Sequence, residues 1–171
     1  MYRSGWLVAL LAAAAPAYAD PSPDGPRETP FDRGRVGVMI GAGEQSAFGY
    51  NYVSLGAGVG YFVLDGLEVG AFALHAFGGG PSINEVSPSL RYVAQPLVGS
   101  WPVIPYAAAF YNHWFLGGGF SDIDTIGARA GLLHLQGQLI VGLGIAYEHT
   151  ISTCASSCDS VYPDVTFGFT F

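Results

Sequence analysis

Lysine is absent from this sequence of 171 residues: its six basic side chains are all arginine, and 13 acidic ones outweigh them to a formal charge of -7. A nucleic-acid surface needs a basic patch to neutralise phosphates, so that class of partner is excluded. Charge of either sign is scarce, at 11% of residues against 50% hydrophobic, which is too apolar for an ordinary soluble domain. Long hydrophobic runs are nevertheless missing beyond the N-terminal segment, where none approaches the roughly 18 residues of a membrane-spanning helix. Cysteine is nearly absent too. The two present, Cys154 and Cys158, share one stretch near the C-terminus, and none stands near the N-terminus to carry a lipid anchor.

What is present begins with an export signal. Arg3 precedes an apolar run from Trp6 to Ala15, and Pro16-Ala17-Tyr18-Ala19 supplies the small-x-small pattern of a signal-peptidase site. The run is shorter than the ~20 residues of a spanning helix, so cleavage after Ala19 is expected rather than anchoring. Residues 20–34, rich in proline and charge, can neither pair in a sheet nor pack a core, and read as a flexible periplasmic leader.

From residue 35 to 171 the hydrophobicity alternates with period two, which is the signature of strands. The clearest case is Val53, Leu55, Ala57, Val59, Tyr61 and Val63 against Ser54, Gly56, Gly58 and Gly60, followed at once by an Asp65-Gly66 turn and a partner strand from Leu67 to about Phe77. Eight strands are predicted, over about 35–43, 49–63, 67–77, 89–97, 103–114, 125–134 and 138–149, and from near 161 to the end. Pro105 argues for a strand start or a bulge at its position. Turns are expected near Glu44 to Ala47 and at Gln136-Gly137, with loops at 78–86 and 117–124. An exported, apolar, glycine-rich chain of this pattern fits a closed membrane barrel, the one strand architecture that satisfies its backbone in lipid.

In the final strand Val165, Phe167, Phe169 and Phe171 share one face, while Thr166, Gly168 and Thr170 share the other. The apolar face is expected to meet lipid. This alternation resembles the closing strand of bacterial outer-membrane barrels, which implies that Phe167, Phe169 and Phe171 form the signal read by the assembly machinery. The stretch Gly58-Val-Gly-Tyr-Phe-Val-Leu-Asp-Gly-Leu-Glu-Val-Gly70 resembles the Gly-Tyr-Phe, turn, Leu-x-Val/Leu-Gly signature of small outer-membrane β-barrel domain proteins, a superfamily that includes OmpA-like and OmpX-like barrels. Ser87-Pro-Ser-Leu-Arg-Tyr92 resembles a strand start of that group. The resemblance implies an all-β, eight-stranded, antiparallel up-and-down transmembrane barrel in the outer membrane of a Gram-negative-type bacterium. Both termini would be periplasmic, with lipids including lipopolysaccharide as surroundings, and the chain would be monomeric.

Candidate functional residues lie on the poorer, inward face. Arg35, Glu68, Arg91, Arg129 and Glu148 fall there, and charges in a narrow lumen must be paired or hydrogen-bonded, so Arg–Glu clusters are expected. An eight-stranded interior is just wide enough for side chains to fill it, which favours a structural plug over an ion gate. The glycines at 56, 58, 60, 142 and 144 sit at period two within strands and make room for bulky inward neighbours; they do not form a phosphate loop. In an oxidising compartment Cys154 and Cys158 are expected to form a disulfide; a metal site would need two further ligands, and His149 is the only histidine nearby in sequence.

No cofactor or metal is implied. Glu148-His149-Thr-Ile-Ser152 gathers residue types seen in lipid A deacylases, but the His-x-Ser spacing is missing and Glu148 and His149 point to opposite faces, so catalysis is not expected. Tyr50, Tyr52, Tyr111, Trp114, Phe115, Tyr147 and Tyr162 are expected as one interfacial girdle, and Tyr61, Phe62, Trp101, Tyr106 and Phe171 as the other. Glu44, Glu85, Asp122, Asp124 and Asp159 are expected on outer loops. The function that follows is a non-catalytic barrel with a structural, envelope-integrity or surface-interaction role. A narrow channel gated by Arg–Glu pairs, a soluble lipid-binding barrel and a lipid A-modifying hydrolase are the alternatives.

Overall fold

The computed structural model describes residues 29–98, 102–152 and 158–171. The expected signal peptide, Trp101 and Cys154 lie outside them. Eight strands form a closed barrel in which each pairs antiparallel with the next: β1 (Val36–Ala47), β2 (Tyr50–Leu64), β3 (Leu67–Gly78), β4 (Ile83–Val93), β5 (Val103–Leu116), β6 (Ile123–Gln136), β7 (Leu139–Thr150) and β8 (Asp159–Thr170). A single helical turn, α1 (Gln95–Val98), lies between β4 and β5. Closure brings β8 back to β1 through four register pairs, from Gly37 with Thr170 to Ile40 with Phe167. Val36 and Phe171 exchange both backbone hydrogen bonds, at 3.1 and 2.9 Å, and finish this seam. The end carrying these residues also has the two-residue β2–β3 and β6–β7 turns and the nine-residue β4–β5 connection, and is called the terminal end; the opposite one, whose connections run from two to eight residues, is the loop end.

Period-two alternation becomes two surfaces. Outward side chains such as Leu55, Leu143 and Ile145 are 61, 65 and 63% exposed, whereas inward Glu68 is 1% exposed. A water-soluble barrel would reverse this polarity. Apolar side chains fill much of the lumen toward both ends. At the terminal end Phe31, Phe62, Val93, Ile104, Tyr106, Leu133 and Ile140 form one buried apolar layer; at the loop end Tyr52, Ala76 and Ile83 form another, with Leu74, Trp114 and Leu116 against it.

Glycines let so narrow an interior hold large rings. A Cβ on Gly56 or Gly58 would stand 2.5 or 2.7 Å from the Phe72 ring, so the absence of side chains on β2 is what seats that ring. Gly127 gives the same room to Phe110, and Gly60 to the Glu68 carboxylate.

Several boundaries differ from the sequence expectation. β1 runs on through Glu44 to Ala47, and the first reversal falls at Phe48-Gly49, both at positive φ (53 and 77°), as a tight hairpin turn of the mirror-image type requires. β4 begins at Ile83, so the loop expected at 78–86 shrinks to 79–82 and Ser87-Pro88 lies within the strand instead of at its start. Pro88 is accommodated on one side only. The β3 ladder is continuous past it, while the β4–β5 register skips from Val86–His113 to Ser89–Phe110, where the missing N–H would have donated. Pro105 sits near the start of β5, paired with Leu132 of β6 and just beyond the last register pair with β4, Val93–Tyr106.

The leader also departs from its expected flexibility. Its last residues, from Thr29, fold over the terminal mouth, and Phe31 is buried to 1% exposure inside it. Burial of this one apolar ring and the hydrogen bonds of the strap together offset the chain entropy lost in ordering it.

Candidate functional site: the barrel lumen

Between the two apolar layers the lumen is polar. Glu68 on β3 and Arg91 on β4 occupy directly opposed positions, and Nη2 of Arg91 donates to Oε2 of Glu68 at 2.5 Å with both side chains buried. Nη1 of the same guanidinium lies 3.8 Å from the Met39 sulfur. Ala108 of β5 is flanked in register by Arg91 on one side and Arg129 on the other, so its small side chain leaves space between the two guanidinium groups. Arg129 turns to Asp164 of β8, at 3.4 Å, and stacks over the Phe110 ring with its central carbon 4.5 Å from the centroid. Asp164 also accepts a hydrogen bond from the Tyr106 hydroxyl at 2.6 Å.

Glu148 is held differently from the expected Arg–Glu cluster. Its carboxylate accepts from Nδ2 of Asn112 and the hydroxyl of Tyr162, each at 2.9 Å, and from the hydroxyl of Thr125. Neutral donors thus replace an arginine as its nearest partners. Arg35 is half-exposed at the terminal end, where its backbone accepts from the Phe62 N–H at 3.0 Å. The five residues expected as one network are therefore separated: Glu68 and Arg91 pair, Arg129 pairs with Asp164, Glu148 sits among hydroxyl and amide donors, and Arg35 stays at the rim.

Asp164 was not among the expected site residues. It shares the face of Thr166, Gly168 and Thr170, so period two alone would have turned it inward. Glu85, expected on an outer loop, instead lies in β4 opposite Leu74 and Trp114. The girdles need a similar correction. Tyr50, Tyr111, Phe115, Tyr147, Tyr61 and Phe171 face outward, whereas Tyr52, Phe62 and Tyr106 are buried in the lumen, Tyr162 reaches Glu148 and Trp114 packs in the loop-end layer. Tyr52 is fixed there by its hydroxyl, which donates to the Pro81 carbonyl at 3.0 Å. Phe167 and Phe169 are outward, at 44 and 41% exposed, with Gly168 and Thr170 buried behind them.

At the loop end three outward histidines each meet the residue directly opposite on the next strand. Nδ1 of His75 is 2.7 Å from Asn84, Nδ1 of His113 is 2.7 Å from Asp124, and Nδ1 of His149 is 2.9 Å from Asp159. Tyr111 and Tyr147, two residues before the latter histidines, donate their hydroxyls to the same two aspartates. These fix the hairpin ends. Among the described residues no group of His, Cys, Asp and Glu is arranged to hold a metal ion. The bridge expected between Cys154 and Cys158 falls partly outside the described residues.

No family model matches the chain, and no curated protein matches it significantly. Solved structures do. The fold is similar to the N-terminal β-barrel domain of Pseudomonas aeruginosa OprF, with a TM-score of 0.59 and 14% identity over 81% of this chain and 98% of that one. It is also similar to Neisserial surface protein A (NspA), with a TM-score of 0.50 and 16% identity over 80% of this chain and 93% of that one. At these identities the likeness is one of fold.

Proposed function

We propose that this chain is an integral outer-membrane β-barrel of a Gram-negative-type bacterium, monomeric and non-catalytic, with a structural or surface-interaction role in the envelope. The observation that carries the reading is the polarity of the wall: aliphatic and aromatic side chains outward around all eight strands, charges and small residues inward. Such a surface is stable in hydrocarbon, and a closed barrel leaves no unpaired sheet edge there. The similarity in fold to outer-membrane barrels supports it. Both termini belong on the periplasmic side in this reading, because two of the three connections at their end are two-residue turns and the short turns of such barrels are periplasmic. Lipids including lipopolysaccharide surround the wall, and Phe167, Phe169 and Phe171 present the strand that the assembly machinery reads.

The alternatives fare less well. Charges inside and leucines outside are the reverse of what a soluble lipid carrier requires. Glu148 points to the lumen and His149 outward to Asp159, so the two do not converge as a hydrolase would need. A narrow channel draws support from the polar compartment of Glu68, Arg91, Arg129 and Asp164, whereas the apolar layer at the terminal end and the apolar cluster on one side of the loop end narrow the way through it.

Fractionation tests location. Recovery with carbonate-washed membranes and a mobility difference between unheated and boiled samples are expected, and a soluble chain without that difference would end the proposal. In planar bilayers the unaltered chain is expected to be silent; discrete conductance steps would favour the channel instead.

A further inference from the structure

Residues 29–35 form a strap across the terminal mouth. Thr29 tightens it: its N–H and hydroxyl donate to the Asp32 carboxylate at 2.6 and 2.5 Å, and the Asp32 N–H returns to the Thr29 carbonyl at 3.3 Å. Four more bonds fasten it to the barrel, one of them from the Phe62 N–H to the Arg35 carbonyl at 3.0 Å. Gly66 N–H donates to the Phe31 carbonyl and Gly34 N–H to the Phe62 carbonyl, both at 2.8 Å, and Arg33 N–H donates to the Asp65 carboxylate at 2.9 Å. The Asp65-Gly66 pair that reverses the β2–β3 hairpin thus also grips the strap. From its centre Phe31 turns into the lumen, edge-on to Phe62 with centroids 5.7 Å apart, and completes the terminal apolar layer.

We propose that Phe31 is a removable cork, and that lifting the strap opens the polar compartment of Glu68, Arg91, Arg129 and Asp164 to small hydrophilic solutes from the terminal side. Every other member of the terminal layer belongs to a strand and cannot leave without breaking ladder bonds. Phe31 alone sits on a segment outside the wall, held by four hydrogen bonds that are not part of the strand ladders, so it can withdraw while the eight strands stay paired. While it is in place, a hydrated ion must shed its water to pass the apolar layer, where no partner compensates the loss. Behind it lie charged groups that can receive such an ion. The inference rests on the closed-barrel reading above and adds a way to regulate access to its interior.

The test uses the full chain in lipid vesicles, with Cys154 and Cys158 both replaced by serine and Ala108→Cys placed between the two lumen arginines. A small, charged, membrane-impermeant methanethiosulfonate reports whether that thiol can be reached. Slow modification is expected with the strap intact, several-fold faster modification with Phe31→Ala, and an intermediate rate with Asp65→Ala, which loosens the strap without altering the lumen and serves even where Phe31→Ala fails to fold. An unchanged rate in folded strap variants, or a thiol already fully reactive beneath the intact strap, would overturn the cork. Failure of the closed-barrel reading looks different: a soluble chain, with no mobility difference on boiling.

Discussion

Glu68 and Arg91 stand on the same rung of adjacent strands, 2.5 Å apart, with side chains 1 and 7% exposed. Each is the other's route to burial, because an ionised group in so dry a place is tolerated only with a partner. Glu68→Gln is therefore expected to destabilise the barrel by about 3–5 kcal/mol, most of it from the arginine left behind. Replacing both, as Glu68→Leu with Arg91→Met, should cost much less than the sum of the two single changes. Unfolding titrations of the four variants in lipid vesicles check this, and additive costs would show that the pair is not coupled.

The Phe72 ring rests where β2 has no side chains. Gly58→Val puts a Cβ 2.7 Å from the ring and 2.8 Å from the Ala71 carbonyl, and the backbone oxygen cannot rotate away. An overpacking cost of about 1–3 kcal/mol is expected. Adding Phe72→Ala to Gly58→Val should recover only part of it, since the ring is relieved but the carbonyl contact remains. Full recovery would show that the ring alone enforces glycine at this position.

Much of this was legible from the sequence because period two leaves little freedom. Once Val53, Leu55 and Val59 face outward, Glu68, Arg91, Arg129 and Glu148 have to face inward, and the structure has them there. The misplaced aromatics show the limit of reading chemistry ahead of parity: Tyr52 and Phe62 share the face of Ser54 and Gly60, and that face decides, whatever a ring's general preference for a membrane interface. Which charge meets which was not legible, because partner choice depends on the stagger between strands. Arg129 on β6 finds Asp164 on β8, two strands away, only once the β6–β7 and β7–β8 registers are set. Phe31 was hidden for another reason: nothing local in a proline-rich segment distinguishes a ring that docks from one that does not.

A bridge between Cys154 and Cys158 would close a very short loop. Chain entropy then predicts a stabilisation of only about 2 kcal/mol, because few unfolded conformations are removed. Replacing both by serine is expected to leave the barrel folded, with a modest fall in its unfolding midpoint and greater protease sensitivity confined to the β7–β8 connection. Mass spectrometry after alkylation, with and without reductant, checks the bridge directly. Alkylation of both thiols in unreduced protein would refute it.

Depth along the wall separates a membrane barrel from any soluble one. Leu143 lies mid-strand on β7, outward and 65% exposed, whereas Phe171 is outward at the terminal rim and 60% exposed. In water the two positions are equivalent, and arginine at either should be harmless. In a bilayer Leu143→Arg is expected to cost ~2–4 kcal/mol near the midplane, while Phe171→Arg costs ~0–1 kcal/mol at the interface, where the guanidinium reaches headgroups. Phe167, one turn of the pleat deeper than Phe169 and paired with Ile40 and Val141, should fall between them. Unfolding free energies of the three arginine variants, measured in vesicles of one lipid composition, give the gradient. Equal values at all three positions would mean that the apolar wall does not sit in a bilayer.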